Sequence, residues 1–218
     1  MLAESPVSSK VPATVSPVID NAKSRQILDG ARKVFLAQGF EGASMNDIAK
    51  EAGVSKGTLY VYFESKERLF AVIVDEERAS HVEGIFDFDY NTSEIEAVLL
   101  RIAVEITTFI TQPRIVSAMR AVMGIAERMP ELGEHFYERG PCYSRNRLAE
   151  YLDTRVAAGQ LDIPDTQLAA AQFMEMSHAP LVKPMFFMAR KEGPSAERIR
   201  VVAESAVKVF MAGYAVKK

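Results

Sequence analysis

Hydrophobic residues recur at intervals of three and four along most of this chain, which is the spacing of one face of an α-helix. The first stripe includes Ile27, Ala31 and Val34, and Gly39 follows where such a helix should end. A Ser93–Glu96 capping box precedes a longer stripe. That stripe comprises Ile95, Val98, Leu99, Ile102, Ile106, Phe109 and Ile110.

Later stripes predict further helices over about 114–128, 131–158, 166–189 and 195–213. No segment alternates strictly between hydrophobic and polar residues, so strands are not required. The predicted fold class is therefore all-α. Residues 1–19 hold three prolines and four serines without any hydrophobic period, and this composition predicts a flexible tail.

The composition is that of an ordinary globular protein, with 48% hydrophobic and 25% charged residues in a chain of 218. A single cysteine, Cys142, excludes an intramolecular disulfide and favours a reducing compartment. No apolar run approaches the roughly 18–20 residues of a membrane helix, and no signal peptide is recognised. We therefore expect a cytoplasmic protein that has no membrane partner.

Residues 44–66, SMNDIAKEAGVSKGTLYVYFESK, carry the signals of two short helices joined by a tight turn. Ser44 and Asp47 form a capping box for the first helix, and Gly53 can take the left-handed conformation that ends it. Ser55 then serves as the N-cap of the second helix. This arrangement describes either a helix-turn-helix or an ordinary helical hairpin.

The side chains that the second helix shows to solvent distinguish these two structures. Lys56, Gly57, Thr58, Tyr60 and Tyr62 supply hydrogen-bond donors, a position without a side chain, and aromatic rings. A solvated face would more often carry several glutamates and lysines. A helix that enters the major groove needs donors and small residues for close approach. The pattern favours double-stranded DNA as the partner.

The run from Arg25 to Leu69 resembles the DNA-binding domain of the TetR family of bacterial transcriptional regulators. Its Ala/Phe-rich first helix, followed by GF, IA, AGVS, GTLY, F and SKE, matches nearly the whole family pattern. The stretch PELGEHFYERGP at 130–141 is similar to family segments but is less diagnostic. The resemblance implies a three-helix DNA-binding domain over 20–66 and a helical effector-binding and dimerisation domain over 67–218.

The resemblance also implies that the helix beginning near Ser55 is the recognition helix. DNA contacts are then expected from Ser44, Asn46, Ser55, Lys56, Gly57, Thr58, Tyr60, Tyr62 and Lys66. Ser44 lies at a helix N-terminus, which favours a phosphate. Lys56 can donate to guanine or to a phosphate, and Lys66 resembles the family's phosphate-contacting lysine. Tyr62 stands where histidine is more common.

The charge of the chain is unevenly distributed. The whole chain has a net charge of -3, but residues 1–66 carry eight basic and seven acidic residues, against 18 and 22 in the remainder. The DNA-binding part is only mildly positive, so each subunit should make few phosphate contacts. We therefore expect the salt sensitivity of DNA binding to come mostly from the doubling of these contacts in a dimer.

The C-terminal part shows no constellation of catalytic residues. His81, His135 and His178 lie more than 40 residues apart, and Cys142 has no third partner. The acidic residues near His135, within 131–138, suggest either a metal site or a solvated acidic face. The solvated face needs fewer assumptions. We predict no enzymatic activity, no cofactor and no bound metal.

A pocket for a small, hydrophobic effector is what the resemblance implies instead. The side chains suited to line it are Phe109, Met119, Met123, Phe136, Tyr137, Met174 and His178. Ten methionines supply adaptable apolar walls, and His178, two residues before Pro180, is a candidate polar anchor.

The last two helices are expected to form the dimer interface. The residues assigned to it are Phe173, Leu181, Met185, Ile199, Val202, Ala206, Val209 and Phe210. These faces could instead pack within one subunit. A two-fold dimer would place two recognition helices about 34–36 Å apart and would require a palindromic site. The expected function is a ligand-responsive homodimeric repressor, and the alternative is a dimeric DNA-binding protein without an effector.

Overall fold

The computed structural model describes residues 22–86 and 94–216, without the side chains of residues 78–83. Within these ranges the chain is helical, and the one β-type contact is an isolated bridge between Leu161 and Ala215. The all-α fold class is confirmed. The predicted tail at 1–19 and the predicted cap Ser93 lie outside the described residues.

Contacts divide the chain into a first unit that ends at Phe70 and a second unit that begins at Ala71. The helices of the first unit are α1 (Ala22–Gly42), α2 (Met45–Glu51), α3 (Lys56–Tyr62) and the start of α4 (Lys66–Ile85). Gly39 interrupts α1 with a left-handed φ of 72°, at the position where the sequence predicts the helix to end.

The core of the first unit combines the buried stripe of α1 with Ile48 and Ala49 of α2 and Leu59 of α3. Three phenylalanine rings close one side of it. Phe40 lies 5.8 Å from Phe35 and 4.9 Å from Phe70, measured between ring centroids. Because Phe70 belongs to this aromatic cluster, the first turn of α4 packs with the first unit.

The second unit is built from longer helices. They are α5 (Ile95–Ile110), α6 (Pro113–Ile125), α7 (Pro130–Tyr137), α8 (Tyr143–Ala157), α9 (Thr166–Phe186) and α10 (Ala196–Tyr214). Side chains cap two of them, since Asp165 accepts from the Leu168 amide and Ser195 accepts from the Arg198 amide. Glu94, without a side-chain hydrogen bond, occupies the N-cap of α5.

The predicted single helix over 131–158 is divided in the structure. A π-helical turn, Glu138–Cys142, separates α7 from α8 and contains Pro141. Proline has no amide proton to donate, so the regular hydrogen-bond ladder cannot continue through it. The backbone remains helical on both sides, and the turn widens to accommodate the proline.

The core of the second unit lies between α5, α8, α9 and α10. Leu99, Tyr151, Phe173 and Phe210 are almost completely buried there. The rings of Phe173 and Phe210 meet edge to face at 5.2 Å. None of the helices in the described parts of the chain is long and apolar enough to cross a membrane.

Candidate nucleic-acid interface

Local hydrogen bonds fix the beginnings of α2 and α3. The Ser44 hydroxyl accepts from the Asp47 amide at 3.2 Å and donates to the Asp47 carboxylate at 2.5 Å. The Ser55 hydroxyl accepts from the Thr58 amide at 3.0 Å. Gly53, between the two helices, has a φ of 63°, which a residue with a side chain rarely adopts. The predicted caps and the predicted turn glycine are confirmed.

The end of α2 lies directly against α1. A Cβ atom placed on Gly30 would lie 2.7 Å from the Cβ and 2.8 Å from the Cα of Ala52, so only glycine fits there. The Gln26 amide donates to the carbonyl of Ala52 at 2.6 Å. This close packing sets the position from which the turn and α3 begin.

One face of α3 packs inward through Leu59, and Phe63 just beyond the helix is also buried; the opposite face is exposed. Lys56, Gly57 and Tyr60 lie on this exposed face, and the Lys56 ammonium lies 6.0 Å from the centre of the Tyr60 ring. A Cβ on Gly57 would meet only the Ser55 hydroxyl at 3.8 Å, an ordinary contact. The fold therefore does not require glycine at position 57.

Val61 also belongs to the exposed face of α3, although sequence reasoning did not select it. Its side chain is 82% exposed, near the end of a helix whose other aliphatic residue, Leu59, is buried. A valine resembles a core residue in sequence, so only its position relative to Leu59 and Phe63 could have revealed it. Its methyl groups can contact a thymine methyl in a major groove.

The remaining expected DNA contacts are partly accessible. Asn46 is exposed, whereas Ser44, Thr58 and Tyr62 are half-buried. Ser55 is exposed and its hydroxyl lies 2.8 Å from that of Thr58, so both hydroxyls already have a hydrogen-bond partner in the cap.

Lys66 makes contacts that the sequence did not predict. Its ammonium donates to the carbonyl oxygens of Phe40, Glu41 and Ala43 at 3.0, 3.3 and 3.2 Å. It also lies 4.6 Å from the centre of the Phe40 ring. These three bonds engage all three ammonium protons at the end of α1, so a phosphate would have to replace at least one of them.

The structure gives different environments to the expected pocket residues of the second unit. Met123 and Tyr137 are exposed, Met174 is buried, and the others are half-buried. Those others are Phe109, Met119, Phe136 and His178. Met123 and Tyr137 therefore lie on the surface of the subunit instead of lining an interior site.

The expected dimer residues require a larger correction. Seven of the eight are buried within the second unit itself: Phe173, Leu181, Met185, Ile199, Val202, Ala206 and Phe210. Only Val209, at 57% exposure, lies on the outside. The stripe selected from the sequence is the inward face of α9 and α10, which packs against α5, α6 and α8.

Among the described side chains of the second unit, His135 and Cys142 have separate partners. His135 pairs through Nε2 with the Asp75 carboxylate at 2.6 Å, and the Cys142 sulfur accepts from Arg145 at 3.2 Å. In the described ranges, no three side chains of the metal-binding types are grouped closely enough to hold an ion. The side chain of His81 lies outside the description.

Comparison with known proteins supports the same division of the chain. Residues 27–73 match the family described as bacterial regulatory proteins, tetR family, and residues 97–216 match the AefR-like transcriptional repressor C-terminal domain. The regulator UidR of Escherichia coli K12 is 43% identical over 77 residues, which are 32% of this chain and 39% of UidR. The chain thus matches about two fifths of the length of that relative.

Solved structures match nearly the whole chain. A protein of Mesorhizobium loti assigned to the TetR family superposes with a TM-score of 0.79 at 26% identity, over 89% of this chain and 97% of that one. The flavonoid-responsive regulator FrrA is 31% identical with a TM-score of 0.72, over 90% and 98%. The chain belongs to the TetR family of transcriptional regulators, and residues 27–73 carry the helix-turn-helix region of that family.

Proposed function

We propose that the protein is a homodimeric repressor that binds a palindromic operator through α3 and is released from it by a small hydrophobic effector. The observation that carries the DNA-binding part is the exposed face of α3, formed by Lys56, Gly57, Tyr60 and Val61. This face combines a cation, a position without a side chain, an aromatic ring and two methyl groups. Such groups can contact the base edges and phosphates of a major groove. Such a regulator acts where the chromosome is, in the cytoplasm.

Seven of the nine expected contact residues serve this function in three ways. Lys56, Thr58 and Tyr60 reach the groove or its phosphates, and Asn46 approaches the phosphate backbone from α2. Ser44 and Ser55 hold the helix N-termini, whose amides attract phosphate. Lys66 chiefly secures the end of α1, and so positions the helices that make the contacts.

The dimer forms, in this proposal, through the outward faces of α9 and α10. Val201, Ser205, Val209 and Ala212 follow one another at spacings of four and three on α10, and all are exposed. The Arg200–Glu204 ion pair borders this stripe. Small and apolar residues in a continuous stripe allow two helices to approach closely across a two-fold axis.

The effector part of the proposal draws on the second unit and on one relative. FrrA, which is similar to this chain over most of both lengths, is described as flavonoid-responsive. The half-buried Phe109, Met119 and Phe136 offer aromatic and polarizable surface for an apolar ligand. A ligand that binds better to a DNA-incompetent conformation must weaken DNA binding by its differential affinity.

Selection of random double-stranded DNA by the purified protein tests the proposal. We expect enrichment of one palindromic sequence, with half-sites centred about one helical turn apart. The same DNA is then titrated in the presence of a flavonoid. An absence of enrichment would reject DNA reading by α3, and an asymmetric site would reject the two-fold dimer. DNA binding that the flavonoid leaves unchanged would favour the alternative without an effector.

A further inference from the structure

His178 has an unsatisfied hydrogen-bonding atom inside the second unit. It lies on α9, with the buried residues Met174 and Val182 four positions before and after it. Its Nδ1 atom is inaccessible to solvent, and no atom of the described residues forms a hydrogen bond with it. A buried polar atom without a partner costs free energy and is uncommon in native proteins.

The buried polar side chains next to His178 on α9, and those in α5 and just after it, do have hydrogen-bond partners. The Thr107 hydroxyl donates to the carbonyl of Ser177 at 3.2 Å, and the Thr111 hydroxyl donates to the carbonyl of Thr107 at 2.7 Å. The Ser177 hydroxyl donates to the carbonyl of Phe173 at 2.8 Å. The fold thus satisfies the buried hydroxyl groups of α5 and α9 and leaves Nδ1 of His178 unpaired within the described chain.

The surroundings of His178 favour an uncharged imidazole. Burial lowers the pKa of His178, Glu175 raises it, and Lys183 lowers it further, with burial the largest of the three influences. Its side of α9 continues into an apolar cluster formed by Val116 of α6 with Val182 and Met185. A neutral ring in apolar surroundings provides no positive charge to hold an anion.

We propose that Nδ1 of His178 is the hydrogen-bonding anchor of the effector, and that the effector is an uncharged, largely apolar molecule that carries a hydroxyl group. The inference rests on the proposed function, because it takes the second unit to be the effector domain. A neutral imidazole presents Nδ1 as a donor in one tautomer and as an acceptor in the other. The anchor requires the second form, in which the ring proton is on Nε2: Nδ1 then accepts a hydrogen bond from a hydroxyl group but cannot form one with an ether oxygen. The adjacent Met174 is unbranched and polarizable, so it can move to admit such a molecule.

The hydroxyl can belong to a phenol or to an aliphatic alcohol, so the experiment uses one matched probe pair for each. Apigenin is compared with apigenin trimethyl ether, and 1-decanol with decyl methyl ether. Dissociation constants are measured by calorimetry for the full chain and for three variants. His178→Phe removes both nitrogens, His178→Asn retains a polar group near the position of Nδ1, and Ser177→Ala removes a neighbouring hydroxyl that already has a partner.

At least one hydroxylated probe is expected to bind the wild-type protein about tenfold or more tightly than its ether. His178→Phe should abolish that difference, His178→Asn should restore part of it, and Ser177→Ala should preserve it. Circular dichroism establishes that each variant is folded. The pair that shows the difference identifies the phenol or the alcohol as the source of the hydroxyl.

Three results would overturn the anchor: neither hydroxylated probe binds, both ethers bind as well as their partners, or His178→Phe binds the hydroxylated probe like wild type. The proposed function is scored separately, by adding the same probes to the complex with selected DNA. A probe that binds through His178 without releasing DNA would leave the anchor intact and reject effector-controlled release. If a probe releases DNA equally well from the wild-type protein and from His178→Phe, effector-controlled release would stand and the anchor would be rejected.

Discussion

The interactions that begin α3 in the first unit lie close together in the chain, whereas those that orient α9 and α10 in the second unit join distant segments. Ser55 caps α3 three residues before its bonded amide, and Gly53 turns the chain just before it. By contrast, the core of the second unit joins helices that extend from residue 95 to residue 214. Local chemistry is therefore sufficient to identify the exposed face of α3, but it does not decide which face of α9 or α10 is inside.

The largest effect that this comparison predicts concerns the outward face of α10. Val209→Asp places a charge in the centre of the proposed interface, so we expect monomers and a loss of operator affinity of roughly 100-fold or more, because two linked half-site contacts become one. Light scattering and DNA titration measure both quantities. Leu36→Asp, which changes a residue 77% exposed in the first unit, serves as the control and should remain dimeric. A dimeric Val209→Asp protein would place the interface elsewhere.

The next effect tests how tightly the first unit is packed. Gly30→Ala forces a Cβ against the backbone of Ala52, and the overpacking should lower the free energy of unfolding by about 2 kcal/mol. Urea denaturation monitored by circular dichroism measures this change. An unaltered midpoint would show that α1 and α2 can separate without cost and that the close contact does not position the turn.

Lys66→Met separates a structural role of this lysine from a direct phosphate contact. Loss of three hydrogen bonds from a half-buried ammonium should cost about 2 kcal/mol of unfolding free energy. The matched variant Lys50→Met alters an exposed lysine of α2 and should leave stability nearly unchanged. Should Lys66→Met instead retain full stability while the salt dependence of DNA binding becomes shallower, Lys66 would be a phosphate contact as the sequence suggests.

The smallest effect on folding is expected at Gly57. Gly57→Ala meets no close neighbour and improves helix propensity, so stability should stay constant or rise by up to about 1 kcal/mol. DNA affinity should nevertheless fall about tenfold, because the new methyl group prevents close approach of α3 to the groove. Unchanged DNA affinity would mean that this position does not face DNA.

The helix-turn-helix and the all-α class were predictable from the sequence because caps, turn glycines and hydrophobic spacing act over a few residues. The hydrogen bonds of Lys66 were not predictable, since its three carbonyl partners lie more than 20 residues away in sequence, at the end of α1 and just after it. Val61 was missed because hydrophobicity alone does not distinguish an exposed valine from a buried one. Both omissions share a cause, which is that side-chain type does not specify a tertiary partner.

The same cause explains the inverted dimer assignment in the second unit. Ile199, Val202 and Phe210 form the more hydrophobic stripe of α10, and the core uses it first because burial of apolar area is the main favourable contribution to folding. The weaker stripe through Val209 stays exposed, and it is the stripe that we propose for association. Periodicity detects both stripes, but only the tertiary structure shows which one is already occupied.

Parallel selection of random duplexes by the wild-type protein and by Lys56→Ala tests the central claim, that the exposed face of α3 reads DNA. Lys56 lies at the start of this face and is exposed, so its removal should leave the fold intact. We predict a palindrome from the wild-type protein, and from the variant the same palindrome with relaxed preference at one base position in each half-site. Identical motifs from both proteins, or no enrichment from the wild-type protein, would contradict the account.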